Sequence, residues 1–420
     1  MELSVRRDRL AGLVLCAAAI ILPTLAIYAA LALVALLVIV ALALLVLVGR
    51  RCLTALRDTR PLIALLVALS LWGLLSTAWS IFPSHSLIEA LRFIAVAAVG
   101  LIALGAAMTT APAERRLVGQ SLAIGLLIAL VLLAIERSTW GAIMRIFHPV
   151  PYDLVYVHRD DDLLLYRFDR GLDVFVLALW AALFADVPRW LRFGLLLAGA
   201  VVIHLMITAA AELALLASVL VFIAARFFPR TVAALMIAAL FAVSAAIPLA
   251  TPSYEQVGVL YANHPGIKWS GIHRLLIWRF ASDRVGEHPL VGWGMDASRA
   301  VPGGNTDLTT LLPPAHYPAE ALALPLHPHN ALLQLLLELG VPGLLLGLAV
   351  ISTILIRVGW RLPLSRERRA GALALAAAAV TIGLLSFGIW QEWWQATLWL
   401  AATLFVAAQP QDDRAAMPAA

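Results

Sequence analysis

The sequence predicts an all-α, polytopic integral membrane protein with about twelve transmembrane helices and a large loop region between the ninth and tenth. Three observations predict it. The chain is 63% hydrophobic and only 13% charged, where a soluble domain carries about a quarter charged residues. Apolar stretches near the ~20 residues that cross a ~30 Å hydrocarbon core recur from end to end. Arginine recurs in every second connection between them, which is how cytoplasmic loops are marked.

The expected spans are 10–29, 31–49, 61–80, 87–107, 117–136, 171–186, 191–208, 210–226, 231–250, 331–357, 370–388 and 392–408. Residues 10–30 run straight into the second span and lack a small-residue cleavage site, so they read as a retained helix. The head carries Arg6, Arg7 and Arg9. The connections expected on the same side carry Arg50, Arg51, Arg57 and Arg60, then Arg115 and Arg116, Arg189 and Arg192, Arg226 and Arg230, and Arg357 to Arg369, with Arg414 in the tail. An even number of spans then puts both termini in the cytoplasm. The whole chain, 1–420, reads as a single transmembrane domain, with 251–330 as its periplasmic loop region.

The formal net charge of +5 comes almost wholly from arginine, Lys268 being the only lysine. In so apolar a chain this points to orientation and phosphate-bearing lipids before nucleic acid. Cys16 and Cys52 form no metal or redox pattern. Two long segments fall on the outer face, about 137–170 and 251–326, and both carry arginine where the orientation rule disfavours it. An anionic ligand would explain this; so would ion pairs with Asp160, Asp161, Asp162 or Asp283.

Within the larger loop, 272–280 has a helical pattern, with Ile272, Leu275, Leu276 and Phe280 on one side. Gly286, Pro289, Gly292 and Gly294 then mark a turn-rich stretch. The next span opens with His327-Pro328-His329-Asn330 and continues as a leucine-rich helix interrupted at Gly340-Val341-Pro342-Gly343, where a kink is expected. Asn330 suits the N-cap. Pro328 is expected to hold the two histidines apart in an extended arrangement.

Several residues here suit chemistry. His329, beside His327, titrates near working pH and could take a proton from a hydroxyl, or merely cap the helix. With no carboxylate near in sequence, the pair makes a poor metal site. Arg274 offers a planar fork to phosphate oxygens, and Trp278 one turn on could stack on a sugar or sit at the membrane interface. Arg170, at the mouth of a span, could clamp a phosphate or simply snorkel; Arg92 resembles it. His204 and Glu212 lie inside spans, where ionisable groups are costly, and could pair with each other.

Trp79-Ser80-x-x-Pro83, Arg274-Leu-Leu-Ile-Trp278, Glu287-His-Pro-Leu-Val-Gly-Trp-Gly294 and His329-Asn-Ala-Leu-Leu-Gln334 with Glu338-x-Gly-x-x-Gly343 occur in this order across the chain. The series resembles the O-antigen ligase and polymerase superfamily of bacterial envelopes. The resemblance implies an inner-membrane, inverting glycosyltransferase with a periplasmic site. Its donor would be a glycan on undecaprenyl diphosphate and its acceptor a lipid A–core sugar hydroxyl, with no cofactor and no metal. His329 would act as base or orient the hydroxyl, and Arg274 would neutralise the leaving diphosphate. Arg170, Arg92, His327, Asn330 and Trp278 would bind substrate. Members often carry a second arginine in a stretch that reads Thr208-Ala-Ala-Ala-Glu212 here, without one; Arg170 or Arg92 would supply that charge. An O-antigen polymerase and a lipid-linked glycan flippase are the alternatives.

Overall fold

The computed structural model describes residues 2–147, 166–264, 266–313, 317 and 319–409. Arg159 and Asp160 to Asp162 lie outside the described residues. The long helices in chain order are α1 (Glu2–Ala29), α2 (Leu33–Val48), α3 (Arg60–Ser76), α4 (Pro83–Met108), α5 (Pro112–Ser138), α6 (Asp169–Leu183) and α7 (Arg189–Leu205). They continue with α8 (Ala209–Phe227), α9 (Pro229–Ala250), α10 (Tyr254–Asn263), α11 (Trp269–Val285), α12 (Ala331–Ile356), α13 (Arg366–Leu385) and α14 (Glu392–Ala408).

Each expected span is a helix. Pro61, Pro83, Pro112 and Pro229 stand in the first turns of α3, α4, α5 and α9, where a missing N–H costs nothing and the fixed φ suits the helix. Eight stretches among the described residues are long and apolar enough to cross a membrane, and the first of them, Val5–Val48, covers both α1 and α2. Helices α6, α7 and α14 have 15, 17 and 17 residues, short of the usual ~20. His204 and Glu212 pair across the α7–α8 turn at 2.8 Å.

Two buried apolar clusters organise the chain. One gathers α1, α2, α4, α5, α6, α7, α8, α13 and α14. The other gathers α3, α9, α11, α12 and the turns after α11. Helix α6 is buried on every side from Gly171 to Leu183; a helix apolar all round belongs in an interior. Helix α11 packs on α9 and α12 and buries Ile272, Leu276, Ile277 and Phe280. Leu275, expected on that face, is only partly buried, and Ile277 takes its place. Trp278 of α11 bonds the Pro328 carbonyl just before α12, and Asp169 and Asp173 of α6 are electrostatic neighbours of Arg274 on α11.

Candidate active site

The site is set by a break in α12. Gly340 has φ 65°, and a side chain there would overlap the Leu290 carbonyl. Pro342 has no N–H to offer the Glu338 carbonyl four residues back. The freed carbonyls are taken up elsewhere. Trp293 N–H donates to Leu337 O at 3.0 Å and Gly294 N–H to Glu338 O at 2.8 Å, while Trp72 Nε1 donates to Leu339 O at 2.9 Å. In return Val341 N–H donates to Pro289 O at 3.0 Å. Buried backbone groups are nearly always paired, so the kink and the Pro289–Gly294 turn require each other.

The early Trp-Ser motif joins the same knot. Trp79 Nε1 donates to Val291 O at 3.1 Å and Ile81 N–H to Trp293 O at 3.2 Å. The Glu338 side chain, fully buried, accepts from Asp296 N–H at 2.8 Å, from Gln334 Nε2 at 3.1 Å, and from the Ser298 hydroxyl and the Trp390 indole. Four donors offset a desolvation cost of several kcal/mol for a lone buried carboxylate. Gln334 Oε1 also accepts from Ile389 N–H at 2.9 Å, which fixes the Ser386–Trp390 turn against the head of α12.

That turn orients the histidines. Asn330 caps α12, its Oδ1 accepting from Leu332 and Leu333 N–H at 3.2 and 3.0 Å. His329 sits at φ 53°, a left-handed conformation uncommon for a non-glycine residue. The extended separation expected from Pro328 does not occur. The left-handed turn folds the rings to a centroid distance of 4.4 Å, and His329 N–H donates to His327 Nδ1 at 3.1 Å. His329 Nδ1 lies 2.5 Å from the Ser386 carbonyl. A carbonyl only accepts, so Nδ1 carries the proton and the Nε2 lone pair is left for a substrate. Burial first, then the Arg274 charge, lowers the His329 pKa to about 4. Burial and neighbouring His329 lower His327 to about 3. Both are neutral at working pH.

Helix α11 brings Arg274 to this head. Trp278 Nε1 donates to Pro328 O at 2.9 Å, which ties the helix to the His-Pro-His segment. Arg274 is half-buried; desolvation lowers its pKa, while Asp169 and Asp173 of α6 oppose that shift. Arg170, next along α6, lies over the Trp393 ring at 5.4 Å. Arg92 pairs with Glu89 at 2.5 Å and Glu392 at 3.1 Å. A cavity of about 460 Å³ opens beside it, lined by apolar residues of α2 and α4 such as Val34, Leu37, Val96 and Val99, with Arg92, Glu392 and Trp393 also on its wall.

The structure therefore gathers Arg274, His327, His329, Trp278 and Asn330 around the head of α12. It sets Arg170 beside Trp393 and Arg92 beside neighbouring Glu392. Among the described residues, the ligand atoms of His85, Glu89 and Asp296 lie within 4.8 Å of one another, close enough to hold a metal ion. Here their charges are met by His85–Asp296 at 2.7 Å, Arg299–Asp296 at 3.6 Å and Arg92–Glu89. Sequence reasoning missed Asp173, Glu338 and Ser386 as parts of the site. Asp173 had a readable signal, a carboxylate inside an apolar run. Ser386 acts through its backbone carbonyl, which no residue type announces.

Fold and site together define a polytopic helical membrane protein with an arginine- and histidine-bearing site at the head of α12. Residues 193–348 match the family described as O-antigen ligase. A protein of Rickettsia conorii carrying the name "Putative polysaccharide ligase" is 28% identical over 316 residues, 74% of this chain and 72% of its own length. Similarly named proteins of Rickettsia bellii and Rickettsia felis are 26% and 27% identical, over 81% and 69% of this chain and 78% and 67% of theirs. The chain is thus similar to the O-antigen ligase family over residues 193–348 and to proteins named as polysaccharide ligases over most of its length.

Proposed function

We propose that the chain is an inverting glycosyltransferase that moves an O-antigen glycan from undecaprenyl diphosphate to a lipid A–core sugar hydroxyl. The observation that carries this reading is the unprotonated Nε2 of His329 beside the half-buried Arg274 guanidinium. One group suits an acceptor hydroxyl and the other a leaving diphosphate. The acceptor oxygen forms its bond to the anomeric carbon as its proton passes to His329 Nε2. The carbon–oxygen bond to the diphosphate breaks with its electron pair on the phosphate oxygen, where Arg274 meets the charge. Attack opposite the leaving group inverts the carbon, and donors aimed at developing charge are the largest source of rate.

Arg170 is the better second clamp, because the charge of Arg92 is already met by two carboxylates. The apolar cavity beside Arg92 suits the isoprenoid chain of the donor. The loop region 251–330 contributes Arg274 and Trp278. In this reading twelve helices cross the inner membrane, both termini are cytoplasmic, and the site is periplasmic.

The test uses purified chain in nanodiscs with undecaprenyl-diphosphate glycan and lipid A–core. Glycan on the lipid A–core with wild type, none with His329→Ala, and no change on adding a chelator support the ligase. Carrier-linked glycan growing longer would make it a polymerase at the same site. Donor crossing the bilayer without a covalent product would make it a flippase.

A further inference from the structure

The proposed reaction leaves one buried acid without a task. Asp173 stands one turn into α6 and is 1% exposed. The Ser386 hydroxyl lies beside it, with Asp169 and Arg274 as its charged neighbours, yet neither carboxylate oxygen completes a hydrogen bond among the described residues. Arg274 has the matching defect. Its Nε is buried without an acceptor, and its Nη1 bonds only at 3.3 Å to the Ser270 carbonyl of its own helix. A buried carboxyl on α6 and a half-buried guanidinium on α11, both incompletely bonded, are thus electrostatic neighbours. Buried polar groups in this condition are rare, and each calls for a use.

We infer that Asp173 is a positioning residue for Arg274. With a lipid diphosphate in the site, α11 settles toward α6 and Asp173 takes the Nε–H edge of the guanidinium. The Nη edge is then turned to the phosphates, since the planar fork serves two acceptors at once. Ser386 ties this pair to the histidine: its hydroxyl adjoins Asp173 and its carbonyl holds His329 Nδ1. A guanidinium fixed from behind needs no reorganisation when charge develops. The inference rests on the reading that Arg274 meets the diphosphate.

The experiment compares the full chain in nanodiscs as wild type, Asp173→Asn, Asp173→Glu, Arg274→Ala and the Asp173→Asn/Arg274→Ala double variant. Asp173→Asn is expected to lower kcat about tenfold or more with a much smaller change in donor KM, and Asp173→Glu to recover part of the loss. Coupled residues are non-additive, so Asp173→Asn should lower the residual rate of Arg274→Ala by less than about twofold. Wild-type kcat in Asp173→Asn, or losses that multiply in the double variant, would overturn the pairing. If Asp173→Asn is not recovered folded, Asp173→Glu with and without Arg274→Ala carries the same test of additivity. Full activity of Arg274→Ala would instead overturn the reading of the diphosphate site.

Discussion

Replacing His329 by alanine is expected to lower glycan transfer by a factor of about 10² to 10⁴, the range for a positioned acid–base group, with donor binding retained. Equal transfer in the two proteins would remove His329 from the reaction. The histidine also has a stability signature. Its folded pKa, about 4, lies below the ~6.5 of an unfolded chain, so the unfolded state binds more protons between those values. His327, at about 3, adds to the effect. Stability should therefore be complete above about pH 6.5 and fall as the pH drops toward 4. Thermal unfolding of wild type beside a His327→Ala/His329→Ala variant checks this: the slope should flatten in the variant. Activity should show no acid limb from His329 near pH 6.5, because the imidazole is already neutral there.

The kinked helix and its turn behave as one element. Gly340→Ala puts a side chain on φ 65° and against the Leu290 carbonyl, a combination that costs more than about 1 kcal/mol. It should lower both the thermal midpoint and transfer, because the same turn anchors Trp293 and the Glu338 network. Gly194→Ala is the control: a Cβ there meets nothing within 4 Å, and alanine is the better helix former. Unchanged stability in Gly340→Ala would mean that the turn does not hold the kink. The break itself was legible in Gly340-Val341-Pro342-Gly343. Its partner was not, because hydrogen bonds from Trp293 and Gly294 to α12 carbonyls depend on three-dimensional approach. Reading Pro328 as a spacer failed for a similar reason. The Ser386 carbonyl and the cap at Asn330 draw His329 into a left-handed turn that brings the rings together.

Across the whole molecule the apolar cavity between α2 and α4 gives a separate test. Val96→Trp should raise the KM for a donor with a long isoprenoid chain and leave a short-chain analogue little affected; equal effects on both would move the chain elsewhere. Orientation is tested with single cysteines added on a background lacking Cys16 and Cys52. A cysteine at the exposed Asn305 should react with an impermeant reagent from the periplasmic side and one at the exposed Arg116 only after permeabilisation. The reverse pattern would invert the topology.

By itself the sequence determined the helices, their alternating arginine connections and the group of residues from which the site is drawn. These follow from local quantities: apolar length, helix period, proline and cap positions, and charge in the connections. Only the tertiary structure decided how those residues work. It placed α6 in the interior, which sets Asp173 among the charged neighbours of Arg274. It neutralised Arg92 with Glu89 and Glu392, left Arg170 on Trp393, and spent the Trp278 indole on Pro328. It also assigned the proton on His329 through a backbone carbonyl 57 residues away. Burial and pairing belong to neighbours distant in the chain, and those neighbours exist only once the helices have packed.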